Sequence, residues 1–384
     1  MDEQLRQRVA DALKGHDARY IEVRIEEAQG TQVRYRGRDL EEMGRSNSVG
    51  GCVRALAHGG WGFVCFNRLE DLREKVAAAV RNARLVAGER VELAPIEPVV
   101  DAVPPAIKED PRTIPLPQKK ALLDRAVELL WSVPGIASST VRYGDGSRRV
   151  LFANSEGSYI QQERVDVVLF LSATARDGGD VQQSSVSLGS QGDFGLVERS
   201  LPQAQEVAQR ALELLKAPQV RGGEYTVVLD PVLAGVFIHE AFGHLSEADH
   251  VYQDERLQKI MVLGRRFGGR HLNVVDGAAV SGLRGSYRYD DEGMPATQSY
   301  LLREGELVGR LHSRETAAKM GEHPTGNARA INYAFPPIVR MTNTFIQPDG
   351  TTFPDLIADI QEGVYARNWY GGMTSMEQFT FSAG

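Results

Sequence analysis

Two histidines and a glutamate close the apolar run from Thr226 to His244, and together they are the donor and base set of a hydrolytic metal centre. His239 and His244 supply imidazole nitrogens, the preferred ligands of catalytic zinc, and Glu240 stands beside them as general base for a bound water. The spacing is unusual. Histidines four residues apart lie about 40° apart around a helix and face one ion, whereas five residues separate them by about 140°. A regular α-helix cannot aim both at one metal, so the last turn is expected to widen into a π-bulge or break, with Gly243 easing the distortion. The bland alternative is a chance H-E-x-x-x-H string. It fails to explain why an apolar run should end on a carboxylate that would be costly to bury unpaired.

The element that carries these side chains has a defined start. Asp230 can cap a helix whose first residue is Pro231, since proline lacks the N–H that would be unpaired there. Val232, Leu233, Val236 and Phe237 then give an apolar face that seats the helix and brings the histidines to its far end. Downstream, Glu247, Asp249 and His250 read either as outer partners orienting the histidines or as a solvated loop. His250 is also a candidate third ligand. It follows His244 at the interval seen between the second and third metzincin histidines, although Glu247 replaces the glycine of that pattern. His312 and His323 are more distant alternatives.

Residues 239–249 resemble the active-site segment of the TldD/PmbA family, in its TldD metalloprotease branch. Residues 51–63, 154–157, 290–295, 325–327 and 340–344 match as well, so the similarity runs through essentially the whole chain. The resemblance implies zinc held by His239, His244 and a cysteine in a Gly-x-Cys-Gly segment near the C-terminus. This sequence has no such cysteine; Cys52 and Cys65 match a different part of the family. The expectation is therefore a chain truncated at its C-terminus. The resemblance further implies unfolded or leader-type polypeptide substrates, bound by β-strand addition, and assembly with a metal-free PmbA-type (TldE) paralogue or a second copy. The rival reading is a non-catalytic binding or regulatory member without stable zinc; a third is a zinc hydrolase acting on a non-peptide amide.

Composition agrees with a soluble, cytoplasmic globular protein. The chain has 384 residues, 42% hydrophobic and 25% charged, with a formal net charge of −7. No basic, aromatic-interleaved cluster suits nucleic acid, no apolar stretch reaches the ~20 residues of a membrane span, and two cysteines make no disulfide framework.

The expected fold class is α+β, with an N-terminal domain of antiparallel strands and several helices over 1–217. A mainly-β C-terminal domain carrying the motif helix is expected over 224–384. Helices are expected at 3–14, 69–86, 116–132 and 197–215. The alternation at 19–27 reads as a half-buried strand with 31–38 as its hairpin partner. Residues 50–66 read as β with a turn at Gly59 and Gly60 and with Trp61 and Phe63 in the core. Strands are expected within 141–171, around a turn at 154–157, and at 272–275, 285–289, 299–303 and 307–311. The seven-proline stretch 95–117 reads as a surface linker. Asp290, Asp291 and Glu292 read as a turn more than as a metal loop. Tyr365, Asn368, Trp369 and Tyr370 read as a peptide cleft or an aromatic corner.

Overall fold

The computed structural model describes residues 3–86, 90–369, 371–375 and 378–382, and Tyr370 lies outside them. Helix α1 (Glu3–Leu13) leads into strand β1 (Tyr20–Arg36), which pairs antiparallel with β2 (Asp39–Ala57) on one side and β5 (Ile136–Asn154) on the other. The hairpin expected between 19–27 and 31–38 is not there. The strand runs straight through Gly30, which pairs with Ser46 and Gly146. A Cβ at Gly30 would lie 3.0 Å from Ser46 Oγ, so this glycine answers crowding between strands and not a turn.

β1 turns instead at Gly37 and Arg38, and the turn expected at Gly59 and Gly60 falls at His58 and Gly59, both at positive φ, as a two-residue hairpin from β2 into β3 (Gly60–Phe66) requires. Trp61 and Phe63 are partly buried, and Phe66 is the aromatic that enters the core. Helix α2 (Leu72–Leu85) buries Leu72, Val76, Ala79, Val80 and Ala83, the face that its spacing predicts. The proline-rich stretch does more than cross the surface. Its Val100–Val103 segment is β4, parallel to β6 (Tyr159–Asp177). Strand β7 (Asp180–Gln191) completes the seven-stranded sheet, and α3 (Leu116–Trp131) and α4 (Gly195–Lys216) pack on it.

Alternation gives this sheet two different faces. Ile21, Val23 and Ile25 join α1 and α2 in one core, while Val33 and Tyr35 join α3 and α4 in another. The opposite face carries Glu22, Arg24, Glu26, Arg54 and Arg148, and it is covered by the C-terminal half. Arg54 Nη1 lies 2.9 Å from Glu22 and 3.3 Å from Glu292, Arg24 Nη1 lies 3.4 Å from Asp291, and Arg148 Nη2 lies 2.7 Å from Glu26. Arg24 Nη2 also donates to the carbonyls of Asn332 and Phe335 at 2.9 and 3.0 Å. Asp290, meanwhile, accepts from the backbone N–H groups of Glu292, Met294 and Ala328. The acidic triplet thus pairs with guanidinium and backbone donors across the interior.

The C-terminal half contains β8 (Val227–Leu229), α5 (Pro231–Ile238), α6 (Ala248–Gln253), α7 (Glu255–Ile260), β9 (Val274–Gly277), β10 (Gln298–Arg303) and β11 (Glu306–Leu307). They are followed by α8 (Arg314–Met320), β12 (Ala328–Arg329), β13 (Ile338–Val339) and β14 (Thr344–Ile346). A four-stranded sheet in the order β11, β10, β9, β14 packs on a core that includes Ile238, Leu245, Val251, Met261, Leu302, Val339 and Met341. The α+β class holds. Residues 285–289 form no strand and carry a single bridge, Tyr289 to Pro295, and β11 stops at Leu307. No described helix is long and apolar enough to cross a membrane.

The two thiols differ sharply in environment. Cys52 is 3% exposed and burial pushes its pKa up to about 12, whereas Cys65 is exposed on the facing strand. Alkylation of the native protein at pH 8 should therefore modify Cys65 and spare Cys52, and mass spectrometry of the labelled peptides checks this.

Candidate metal centre

Asp230 caps α5 as its position implies, with Oδ1 accepting the N–H of Leu233 at 2.7 Å. The buried side is narrower than the sequence pattern suggests. Leu233 and Ile238 are buried, Val236 and Phe237 partly so, and Val232 faces solvent. After Ile238 the helix widens into one π-turn over His239–Gly243, closed by the N–H of His244 donating to the carbonyl of His239. This wider turn is what a five-residue interval needs to bring both imidazoles together. Their ring centroids lie 4.8 Å apart, and ligand atoms of His239, Glu240 and His244 all lie within 4.8 Å of one another.

Gly243 serves this turn for a different reason from the one its backbone freedom suggests. Its φ of −60° is ordinary right-handed backbone. A Cβ there would come 1.9 Å from Met341 Sδ, so the glycine leaves room for the Met341 side chain against the π-turn.

Glu247 is fully buried, and its Oε2 lies 3.2 Å from His244 Nδ1 and 3.4 Å from His250 Nδ1. His250 is thus placed against Glu247 and outside the His239, Glu240, His244 group. Asp249 faces the neighbouring strand, its Oδ2 accepting the N–H of Val339 at 3.2 Å. His312 is buried between Thr316 and Glu322. Burial, followed by the adjacent His244, holds the pKa of His239 below the usual histidine range, which keeps its imidazole neutral and available as a ligand.

The chemistry of this donor set fits a divalent first-row cation: two imidazoles, a carboxylate within reach, and a buried carboxylate facing Nδ1 of one histidine. Family models described as PmbA/TldA metallopeptidase domains match three consecutive stretches. Domain 1 matches 21–86, the central domain 109–215 and the C-terminal domain 222–384.

The chain belongs to the PmbA/TldD metallopeptidase family.

Among PmbA/TldD relatives, a metalloprotease of Synechocystis sp. is 48% identical over 369 residues, covering 96% of this chain and 80% of the relative. A zinc metalloprotease TldD homolog of Saccharolobus solfataricus is 32% identical over 256 residues, 65% of this chain and 57% of the relative. Two solved structures share the PmbA/TldD fold. One, from Thermotoga maritima and described as a modulator of a DNA gyrase, superposes with a TM-score of 0.81 at 21% identity, covering 97% of this chain and 83% of that one. The other, TldE from Thermococcus kodakarensis, gives 0.70 at 15% identity, with 99% and 86% covered.

Three residues linked to this candidate site by contacts escape a reading of the H-E-x-x-x-H segment alone: Asp276, Asn327 and Arg340. Asn327 Nδ2 donates to Asp276 Oδ1 and to the carbonyl of Arg340, both at 3.0 Å, and the N–H of Arg340 donates back to the Asn327 carbonyl at 2.9 Å. The guanidinium of Arg340 then lies 3.5 Å from Glu247 Oε1. Thr325–Asn327 and Arg340–Thr344 stand out in the sequence only through the family resemblance, because no metal-ligand spacing links them to the histidines.

Proposed function

We propose that this protein is a zinc-dependent peptidase whose centre is the π-turn at His239–Gly243. The observation that carries the reading is the gathering of His239, Glu240 and His244 donor atoms within 4.8 Å. The zinc metalloprotease named among the relatives supports zinc over other divalent ions. His239 and His244 would hold the metal, with His250 the candidate for a third protein donor only if its ring leaves Glu247. When bound, zinc supplies a Lewis acid that brings the pKa of a coordinated water to about 7.

The side chains of this chain do the rest. The contact of His244 Nδ1 with Glu247 leaves Nε2 as its donor, and Glu247 and Asp249 hold the segment that carries it. The Glu240 carboxylate takes a proton from the attacking water and returns it to the amine nitrogen of the leaving peptide. The substrates on this reading are unfolded or leader-type polypeptides. The reading includes assembly with a TldE-type paralogue or a second copy, supported by the fold shared with TldE. A reducing cytoplasm is part of the same proposal, supported by the free thiols of Cys52 and Cys65.

Metal analysis tests this directly. The purified protein should carry about one zinc per chain after equilibration with zinc and gel filtration, and His239→Ala should carry essentially none. A wild-type protein without zinc, or a variant that retains it, would sink the proposal.

A further inference from the structure

The segment Arg340–Thr344 is absorbed by none of the roles above, yet it touches both the metal turn and the core of the C-terminal sheet. At one end, Met341 Sδ fills the space that a Cβ on Gly243 would need, and Arg340 reaches the fully buried Glu247. At the other, Thr342 and Thr344 donate their hydroxyls to Asp276 at 2.7 Å, the Thr342 N–H donates to the same carboxylate at 2.8 Å, and Asn343 Nδ2 donates to the Gly277 carbonyl at 2.8 Å. Asp276 lies on β9, between β10 and β14.

We infer that Arg340 is a positioning residue of the metal centre, acting through Glu247 on His244; this rests on the zinc reading above. The argument is one of charge and burial. Glu247 is enclosed, its Oε2 faces His244 Nδ1, and its Oε1 has no hydrogen-bond partner. A carboxylate enclosed in this way needs a nearby positive charge to hold it in place, and Arg340 at 3.5 Å is the guanidinium that faces it. With Glu247 Oε2 held against Nδ1, the His244 ring is oriented with its other nitrogen free for a metal, which is how an outer carboxylate positions a ligating histidine. The backbone of Arg340 is fixed on both its N–H and its carbonyl by Asn327, so the guanidinium is aimed from a rigid base.

The test is zinc affinity, measured by competition with a chelator on the full chain, for wild type, R340M, R340K, E247Q and the R340M/E247Q double variant. Loss of an outer-sphere partner typically weakens metal binding by about 10–100-fold, and R340M should fall in that range. R340K restores the positive charge and should recover most of the loss. With Glu247 made neutral the arginine has no charge to hold, so R340M should add little in the E247Q background, an interaction that a merely structural role would not produce. R340M binding zinc like wild type, or losing affinity equally in both backgrounds, would overturn the inference while leaving the zinc reading intact. A wild-type protein that binds no zinc overturns both.

Discussion

Glu240→Gln should lower kcat/KM for peptide cleavage by about 100- to 10,000-fold, the range that a positioned general base contributes. The substitution keeps the size of the side chain and removes its basicity. His239 and His244 remain to bind metal, so zinc content should stay near the wild-type value. Cleavage of an unfolded polypeptide, followed by mass spectrometry with zinc measured on the same samples, separates the two quantities. Retained cleavage would show that another group moves the proton. Loss of both zinc and cleavage would assign Glu240 to the ligand set, for which its donor atom lies close enough to the two imidazoles.

The largest effect on stability is expected at Arg54. Its guanidinium is buried between Glu22 and Glu292, so Arg54→Met leaves two enclosed carboxylates without their shared counter-charge, and breaking such a cluster costs about 3–5 kcal/mol. The loss should depend on pH with a definite sign. Burial already raises the pKa of Glu22, opposed by Arg54, and removing Arg54 raises it further. A carboxyl group whose folded pKa lies above its unfolded value stabilises the protein below the unfolded pKa, and that contribution disappears as pH rises through the folded one. Thermal or denaturant unfolding should therefore show a smaller deficit for Arg54→Met at pH 5 than at pH 8. An equal deficit at both would mean that Glu22 does not titrate in that window.

The candidate site was legible where local rules decide the structure. Asp230 and Pro231 mark the start of α5, and the five-residue histidine interval implies the wide turn that is found, because both follow from backbone geometry within a few residues. At Gly243 the sequence suggests backbone freedom, whereas the structure shows room for Met341, which is almost a hundred residues away and which no local signal reports. The hairpin expected between 19–27 and 31–38 fails for a similar reason: the strand continues through Gly30, which relieves contact with the neighbouring strand. The prolines of segment 95–117 point to a linker, yet the short run Val100–Val103 between them pairs with β6. Arg340, Asn327 and Asp276 could not be tied to the histidines, since their connection is built from tertiary hydrogen bonds and carries no spacing pattern.

The charged face of the long sheet determines how the molecule can come apart. Arg24 and Arg54 find opposite charges or carbonyl acceptors on Asp291, Glu292, Asn332 and Phe335, which lie in the half that carries the candidate metal turn. Separating the two would not uncover a greasy surface that could be hidden by collapse; it would strand charges that are balanced in part across the boundary. The π-turn half and the N-terminal sheet are thus expected to unfold together, so a lesion in one is transmitted to the other as lost cooperativity.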